Sequence, residues 1–121
     1  MRMKENAKKI APFRDAHIAQ YEAEVLQEIE QLTNMQFTKV NLIERETQMG
    51  FTIEKKRVTG INLYNCGVSM LPESLTQLKS LQKLYLYGSG LMNLPECVTQ
   101  LKSLQNLYLY GNKLTTTLPE S

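Results

Sequence analysis

Residues 81–88 read LQKLYLYG and residues 104–111 read LQNLYLYG, so one alternation of leucine and tyrosine occurs twice, 23 residues apart. Neighbouring side chains of a β-strand point to opposite faces, so the leucines of such a strand can enter a core while the tyrosines face away from it. The stretch therefore predicts a short strand with an aromatic outer surface. Its recurrence at a fixed interval predicts several such strands side by side.

The alternation is part of a longer repeat in the second half of the chain. VTGINLYNCGVSMLPESLTQLKS (58–80) aligns without gaps to LQKLYLYGSGLMNLPECVTQLKS (81–103), and then to the incomplete unit LQNLYLYGNKLTTTLPES (104–121), which has one extra threonine. Apolar residues return at positions one, four, six and eleven of each unit. A proline follows a leucine in every unit, which ends strand pairing and predicts an irregular return path.

This pattern resembles the leucine-rich repeat family, in its 23-residue subclass with Leu-Pro in the convex half, over residues 58–121. The resemblance implies an α/β fold, a short solenoid whose parallel strands form a concave face. The RVTG entry into the repeats (57–60), after a helical lead-in, is similar to short archaeal and bacterial proteins of this family.

The first half of the chain is expected to cover the open end of the solenoid. Residues 1–14 carry five basic residues against one acid and are expected to form a flexible basic tail. Residues 15–57 are expected to form a helical and β-hairpin cap. Within it, residues 15–33 predict an amphipathic helix with Asp15 as a candidate N-cap and an apolar stripe, whose members are Ile18, Tyr21, Val25, Ile29 and Leu32.

A hairpin is predicted where FTIE (51–54) and RVTGINL (57–63) flank a pair of lysines. Its first strand would lie antiparallel to the first repeat strand. Lys55 and Lys56 are poor residues for a tight primed turn, which prefers asparagine or glycine, so a longer loop is expected.

Composition excludes several classes of function. Fourteen Lys and Arg against twelve Asp and Glu give a net charge of +2, too weak a field to predict nucleic acid or an anionic membrane as partner. No apolar run approaches the ~18 residues of a membrane span, and residues 1–17 lack a secretory apolar segment, so a cytoplasmic location is expected. Cys66 and Cys97 form neither a disulfide framework nor a metal motif, and no cofactor or metal is predicted.

Catalysis finds little support in the sequence. His17 is the one histidine, and no glycine-rich phosphate loop with a following lysine occurs. We therefore expect no catalytic residues and no enzymatic activity.

The outward positions three, five and seven of each strand are the better candidate site. Tyrosine combines a large rigid surface with a hydroxyl and is enriched where proteins bind one another. In the leucine-rich repeat family the concave face is the usual ligand surface. We expect a non-catalytic protein-binding scaffold whose partner-binding residues are Asn62, Tyr64, Lys83, Tyr85, Tyr87, Asn106, Tyr108 and Tyr110.

Two alternatives remain open. The chain could self-assemble as a homodimer through its uncapped C-terminal end, since such an apolar end commonly marks an association surface; the residues concerned are Leu104, Leu107, Leu109, Leu114 and Leu118. It could also be the recognition arm of a larger protein, such as a GTPase or a ubiquitin-ligase effector that carries leucine-rich repeats. The sequence does not name the partner.

Overall fold

A computed structural model describes residues 9–44, 48–63, 71–86 and 96–108. These residues form seven strands, two α-helices and one 3₁₀ helix. In chain order they are β1 (Ile10–Phe13), β2 (Ala16–Ala19), α1 (Gln20–Thr33), β3 (Thr38–Lys39), β4 (Gly50–Glu54), β5 (Arg57–Asn62), the 3₁₀ helix (Glu73–Gln77), β6 (Lys83–Tyr85), α2 (Glu96–Thr99) and β7 (Asn106–Tyr108). The fold is therefore mixed α/β, as the sequence predicts. No helix of the described segments is long and apolar enough to cross a membrane.

Five strands form the main sheet, in the order β3-β4-β5-β6-β7. β4 and β5 are antiparallel, whereas β5, β6 and β7 are parallel. The register pairs Ile61 with Leu84 and Leu84 with Leu107, so equivalent positions of successive repeats are neighbours. The predicted parallel pairing of the three repeat strands is confirmed.

The leucines at positions four and six of the repeat enter the core. Ile61 and Leu63 of the first repeat and Leu84 and Leu86 of the second are all 0% exposed. Residues of the irregular return path close the core from the other side, and they lie on or next to the 3₁₀ helix and α2: Leu71, Leu75, Leu78, Val98 and Leu101. Burial of apolar side chains from both directions is what stabilises the repeats.

The N-terminal region differs from the expected tail. Residues 10–13 form β1, which pairs antiparallel with β2 from Ile10–Ala19 to Phe13–Ala16. Phe13 is buried and meets the Phe51 ring edge to face, with ring centres 5.6 Å apart. The expectation of a flexible tail over residues 1–14 is therefore wrong for residues 10–13, because their apolar side chains pair and pack. Residues 1–8 lie outside the described part of the chain.

The predicted helix begins five residues later than expected. Asp15 is not an N-cap but follows Arg14 in the β1–β2 turn, and both residues have positive φ, 48° and 67°. Aspartate tolerates this left-handed conformation, which a primed hairpin turn requires at both central residues. The helix α1 starts at Gln20 and ends at Thr33; its C-cap, Asn34, is also left-handed and donates its N–H to the Glu30 carbonyl.

The buried stripe of α1 is also shifted from the predicted one. Val25, Leu26 and Ile29 are almost completely buried, whereas Leu32, predicted to face the core, is 51% exposed. The remaining buried positions of the stripe include two acids, Glu22 and Glu30. The pattern of apolar residues alone therefore does not predict the whole buried face of α1.

The β4–β5 hairpin is confirmed, but its turn is tighter than expected. Lys55 and Lys56 form a two-residue turn with φ of 52° and 67°. The Lys56 carbonyl accepts the Ala19 N–H at 3.1 Å, which ties the turn to β2. This tertiary contact supports a turn that the local preference of lysine disfavours.

Glu30 joins three segments of the N-terminal region. Its carboxylate accepts two hydrogen bonds from Arg14, at 2.6 and 3.0 Å, and a third from the Phe37 N–H at 2.7 Å. The side chain of Glu30 is 9% exposed and that of Arg14 34% exposed. The buried carboxylate therefore fixes the β1–β2 turn and the chain after α1 to one helix face.

Replacement of Glu30 by alanine is expected to lower the free energy of unfolding by about 3 kcal/mol, because it leaves the buried Phe37 N–H and Arg14 without their partner. Arg14→Ala should cost less, about 1 kcal/mol, since Phe37 keeps its bond and Arg14 is partly solvated. Urea denaturation followed by circular dichroism measures both. The exposed Glu24→Ala is the control and should change stability by less than about 0.5 kcal/mol. Equal effects of Glu30→Ala and Glu24→Ala would contradict this role.

Candidate functional site

The outer face of the repeat strands carries the side chains at positions three and five. Register places Gly60, Lys83 and Asn106 in one row across the three strands, and Asn62, Tyr85 and Tyr108 in a second row. Both rows are those that the sequence predicts. The predicted third row, Tyr64, Tyr87 and Tyr110, lies outside the described residues.

Tyr85 and Tyr108 form a stacked aromatic pair on this face. Their ring centres are 4.3 Å apart and their planes are inclined by 38°. Both residues are half-buried, so the pair has a side that remains accessible to solvent. Parallel strands lie ~4.8 Å apart, which brings rings at equivalent positions into contact. The sequence repeat therefore builds a small aromatic platform.

The chain just after β3 covers the first strand of this face. We refer to residues 41–44 as the cover segment. Ile43 is 6% exposed, and the amide nitrogen of Asn62 donates to the Glu44 carbonyl at 2.5 Å. Asn62 is consequently 0% exposed. The expectation that Asn62 offers an open contact surface is wrong, because its side chain holds the protein's own chain in place.

Gly60 is required by the same contact. A Cβ atom at this position would lie 2.6 Å from the Thr52 hydroxyl oxygen and 2.9 Å from Cγ1 of Ile43. The equivalent positions of the next two repeats are Lys83 and Asn106, which are half-buried, whereas Gly60 is buried. The first repeat thus differs from its sister units in sequence, with glycine and asparagine at positions three and five, because its outer face is occupied.

Asn41, Leu42 and Glu44 are the exposed residues of the cover segment. Leu42 is 60% exposed although its neighbour Ile43 is almost fully buried. Between this segment and strands β4 to β6 lies a cleft of about 160 Å³. The residues that line it are Asn41, Leu42, Ile43, Thr52, Ile53, Glu54, Thr59, Gln82 and Lys83. Sequence reasoning missed both the cover segment and the cleft, although Gly60 and Asn62 depart from the sister repeats.

At the other end of the sheet, two of the residues predicted for self-association are described. Leu104 and Leu107 are half-buried against the core, whereas Leu81 and Leu84, one repeat earlier, are 0% exposed. Leu109, Leu114 and Leu118 lie outside the described residues. The third strand is therefore less completely covered than the second.

A buried carboxylate with a shifted pKa is a candidate for acid–base chemistry. Glu22 on α1 is 0% exposed, accepts the Val58 N–H at 2.7 Å and lies 3.8 Å from the Arg57 guanidinium. Burial raises its pKa, against the opposing effects of the Val58 bond and Arg57. Arg57 also donates to the Tyr21 hydroxyl, whose pKa is raised mainly by burial.

The structure assigns Glu22 a structural role. The Val58 N–H donates to Glu22 and links β5 to α1. In the same way the Phe37 N–H donates to Glu30 and links the chain after α1 to that helix. The clefts beside the cover segment, beside the C-terminal end of α1 and beside the β1–β2 turn are lined by other side chains. His17 is exposed on β2, opposite Pro12. The described residues contain no cluster of three or more potential metal ligands.

A family model described as Leucine Rich Repeat matches residues 103–121. Residues 103–108 of the match, which include β7, are described, and residues 109–121 fall beyond the described residues. No curated protein matches the chain. The match supports a leucine-rich repeat in the third unit, where the sequence pattern also places one.

The contact between the cover segment and Gly60 can be tested by substitution. Gly60→Ala is expected to lower the free energy of unfolding by about 1–3 kcal/mol, because the added methyl overlaps Ile43 and Thr52. The double variant with Ile43→Ala loses the overlap with Ile43 but keeps that with Thr52, so the combined loss should be smaller than the sum of the two single losses. Urea denaturation of wild type, the two single variants and the double variant gives the coupling energy between Gly60→Ala and Ile43→Ala. Additive losses would show that Ile43 does not lie over Gly60.

The burial of Glu22 predicts a specific dependence on pH. Since its pKa is higher in the folded than in the unfolded chain, its favourable contribution is fully present below the ordinary glutamate value of 4.5 and is lost as the pH rises through the folded value. The stability of wild type relative to Glu22→Gln should therefore fall with rising pH in that window, by at most about 1.4 kcal/mol per pH unit. Denaturant titrations across the window measure it, with Glu24→Gln as the exposed control. A difference that stays constant or grows with pH contradicts it.

Proposed function

We propose that the outer face of strands β6 and β7 binds a protein partner and that the chain acts as a non-catalytic interaction module. The observation that carries the proposal is the stacked, half-exposed pair Tyr85 and Tyr108, flanked along the same strands by Lys83 and Asn106. Leucine-rich repeats generally mediate protein–protein interaction, and the family match supports this function at that coarse level.

The proposed face is smaller at one end than the sequence predicts. Asn62 is withdrawn from it because the cover segment occupies the first strand. Tyr64, Tyr87 and Tyr110 remain part of the proposal through their place in the repeat, one alternate position beyond the second row. We further propose that the parallel strands continue as a short solenoid with this face as its concave side.

An aromatic contact surface offers a large contact area at a low cost in side-chain entropy. Two tyrosine rings already held against each other lose little side-chain freedom when a partner covers them. A tyrosine side chain combines an apolar ring with a polar hydroxyl, which suits contact surfaces of mixed polarity. A face with this composition fits a protein surface better than a small ligand, because it is open rather than enclosed.

Self-association through the third strand is a second candidate. The half-buried Leu104 and Leu107 favour it, because their counterparts in the preceding repeat are completely buried. Sedimentation of wild type and Leu107→Glu distinguishes the candidates. A homodimer that the glutamate disrupts would support this interface, whereas a monomer at every accessible concentration would leave the tyrosine face as the proposed site.

Loss of the aromatic platform is expected to abolish partner capture without unfolding the protein. Wild type, the double variant Tyr85→Ala/Tyr108→Ala and the exposed control Lys102→Ala are each used as bait in a lysate of cells that express the gene. A buried aromatic contact contributes roughly 1–3 kcal/mol, so affinity for a genuine partner should fall at least about tenfold in the double variant. Far-ultraviolet circular dichroism verifies the fold. Proteins retained equally by all three baits would contradict the proposed face.

A further inference from the structure

The cleft beside the cover segment lies next to the proposed binding face. Lys83 belongs to both, since it lines the cleft and is two residues from Tyr85 on β6. Residues two apart on a strand point to the same side and are about 7 Å apart. A partner segment that contacts the tyrosine pair therefore passes within reach of the cleft.

The polar groups of the cleft include several hydrogen-bond donors beside Lys83. Thr52 and Thr59 share one hydrogen bond between their hydroxyls, at 2.9 Å, which leaves the second hydroxyl proton available. The amide oxygen of Asn41 accepts from the Lys39 ammonium at 3.2 Å, which leaves its NH₂ group to donate. Gln82 adds a further amide. A carboxylate, which only accepts, can bond to these donors.

Lys83 supplies positive charge that the described residues do not neutralise. Their ion pairs join Arg14 to Glu30 and Arg57 to Glu22, both in the N-terminal half. Glu54 also lines the cleft, but it is exposed at the end of β4 and forms no ion pair with Lys83 in the described segments. A half-buried lysine that lines a cleft and forms no ion pair among the described residues favours an anionic occupant.

The size and position of the cleft favour a side chain over a larger ligand. Its volume of about 160 Å³ is below the roughly 300–1,000 Å³ of ordinary small-molecule pockets. Leu42, 60% exposed on the cover segment, offers an apolar contact to the residue next to the inserted one.

We propose that the partner inserts an aspartate or glutamate side chain into this cleft, with Lys83 as its counter-ion, and rests an adjacent apolar residue on Leu42. This inference depends on the proposed function, because the acidic residue belongs to the same protein segment that contacts Tyr85 and Tyr108. It specifies the chemistry of that segment as an acidic residue beside an apolar one.

The experiment uses a phage-displayed library of short random peptides, selected separately on the full chain as wild type, Lys83→Gln and Lys102→Gln. Lys102 is exposed outside the cleft, so its variant removes the same charge elsewhere. Wild type and Lys102→Gln should enrich peptides that place Asp or Glu beside an apolar residue, and Lys83→Gln should not. A selected peptide should bind Lys83→Gln about tenfold or more weakly, because a charge-assisted bond is lost, and Lys102→Gln unchanged.

Nuclear magnetic resonance of the ¹⁵N-labelled chain locates the contact. The peptide should shift the backbone amide signals of Thr59 and Gln82, and the same peptide with Asn or Gln in place of its acid should not. Sodium acetate is titrated in parallel. If acetate saturates the same signals at the peptide's own concentration range, the cleft is a site for small anions and the proposal is overturned.

The remaining outcomes separate this inference from the function beneath it. Peptides that lack an acidic preference but lose binding in Tyr85→Ala overturn the inference and support the tyrosine face. Peptides whose binding is indifferent to both Lys83→Gln and Tyr85→Ala overturn both proposals, and so does a selection that returns no binder.

Discussion

Parallel pairing of β5, β6 and β7 at a 23-residue register is the constraint on which the other features depend. It sets Ile61, Leu84 and Leu107 side by side, so that apolar residues from separate repeats fill one core. The same register fixes the opposite face, because alternate residues must point away from that core. A slip by one residue would put the tyrosines inside and the leucines in water. The contact between Tyr85 and Tyr108 is thus a consequence of the core rather than an independent feature.

The N-terminal half shapes the site as well as covering the core. Two buried glutamates on α1 bind backbone N–H groups of β5 and of the chain leading to β3, and so hold the segment that continues into residues 41–44. Phe51, enclosed by Phe13 and Phe37, joins β1, β4 and the start of β3 in one aromatic cluster. Together these hydrogen bonds and aromatic contacts position the cover segment over Gly60 and Asn62. The proposed binding face consequently starts at the second repeat.

The sequence predicts those parts of the fold that rest on periodicity. Leucines every 23 residues indicate the parallel strands, and the alternation of apolar and polar residues in FTIE indicates the β4–β5 hairpin. Features governed by tertiary contacts were not predictable in this way. Lys55 and Lys56 adopt a tight turn that β2 supports, and Asp15 enters a turn where a helix start was expected. Burial of Asn62 depends on its contact with Glu44, 18 residues earlier in the chain. A local sequence pattern does not predict such a contact.

Hydroxyl-radical footprinting read by mass spectrometry tests most directly whether the outer face is closed at the first strand and open beyond it. Leu42 and Ile43 are neighbouring aliphatic residues and serve as an internal comparison, at 60% and 6% exposure. The account predicts rapid oxidation of Leu42, Tyr85 and Tyr108 and protection of Ile43. Oxidation of Ile43 as fast as that of Leu42, or protection of both tyrosines in the protein alone, would contradict it.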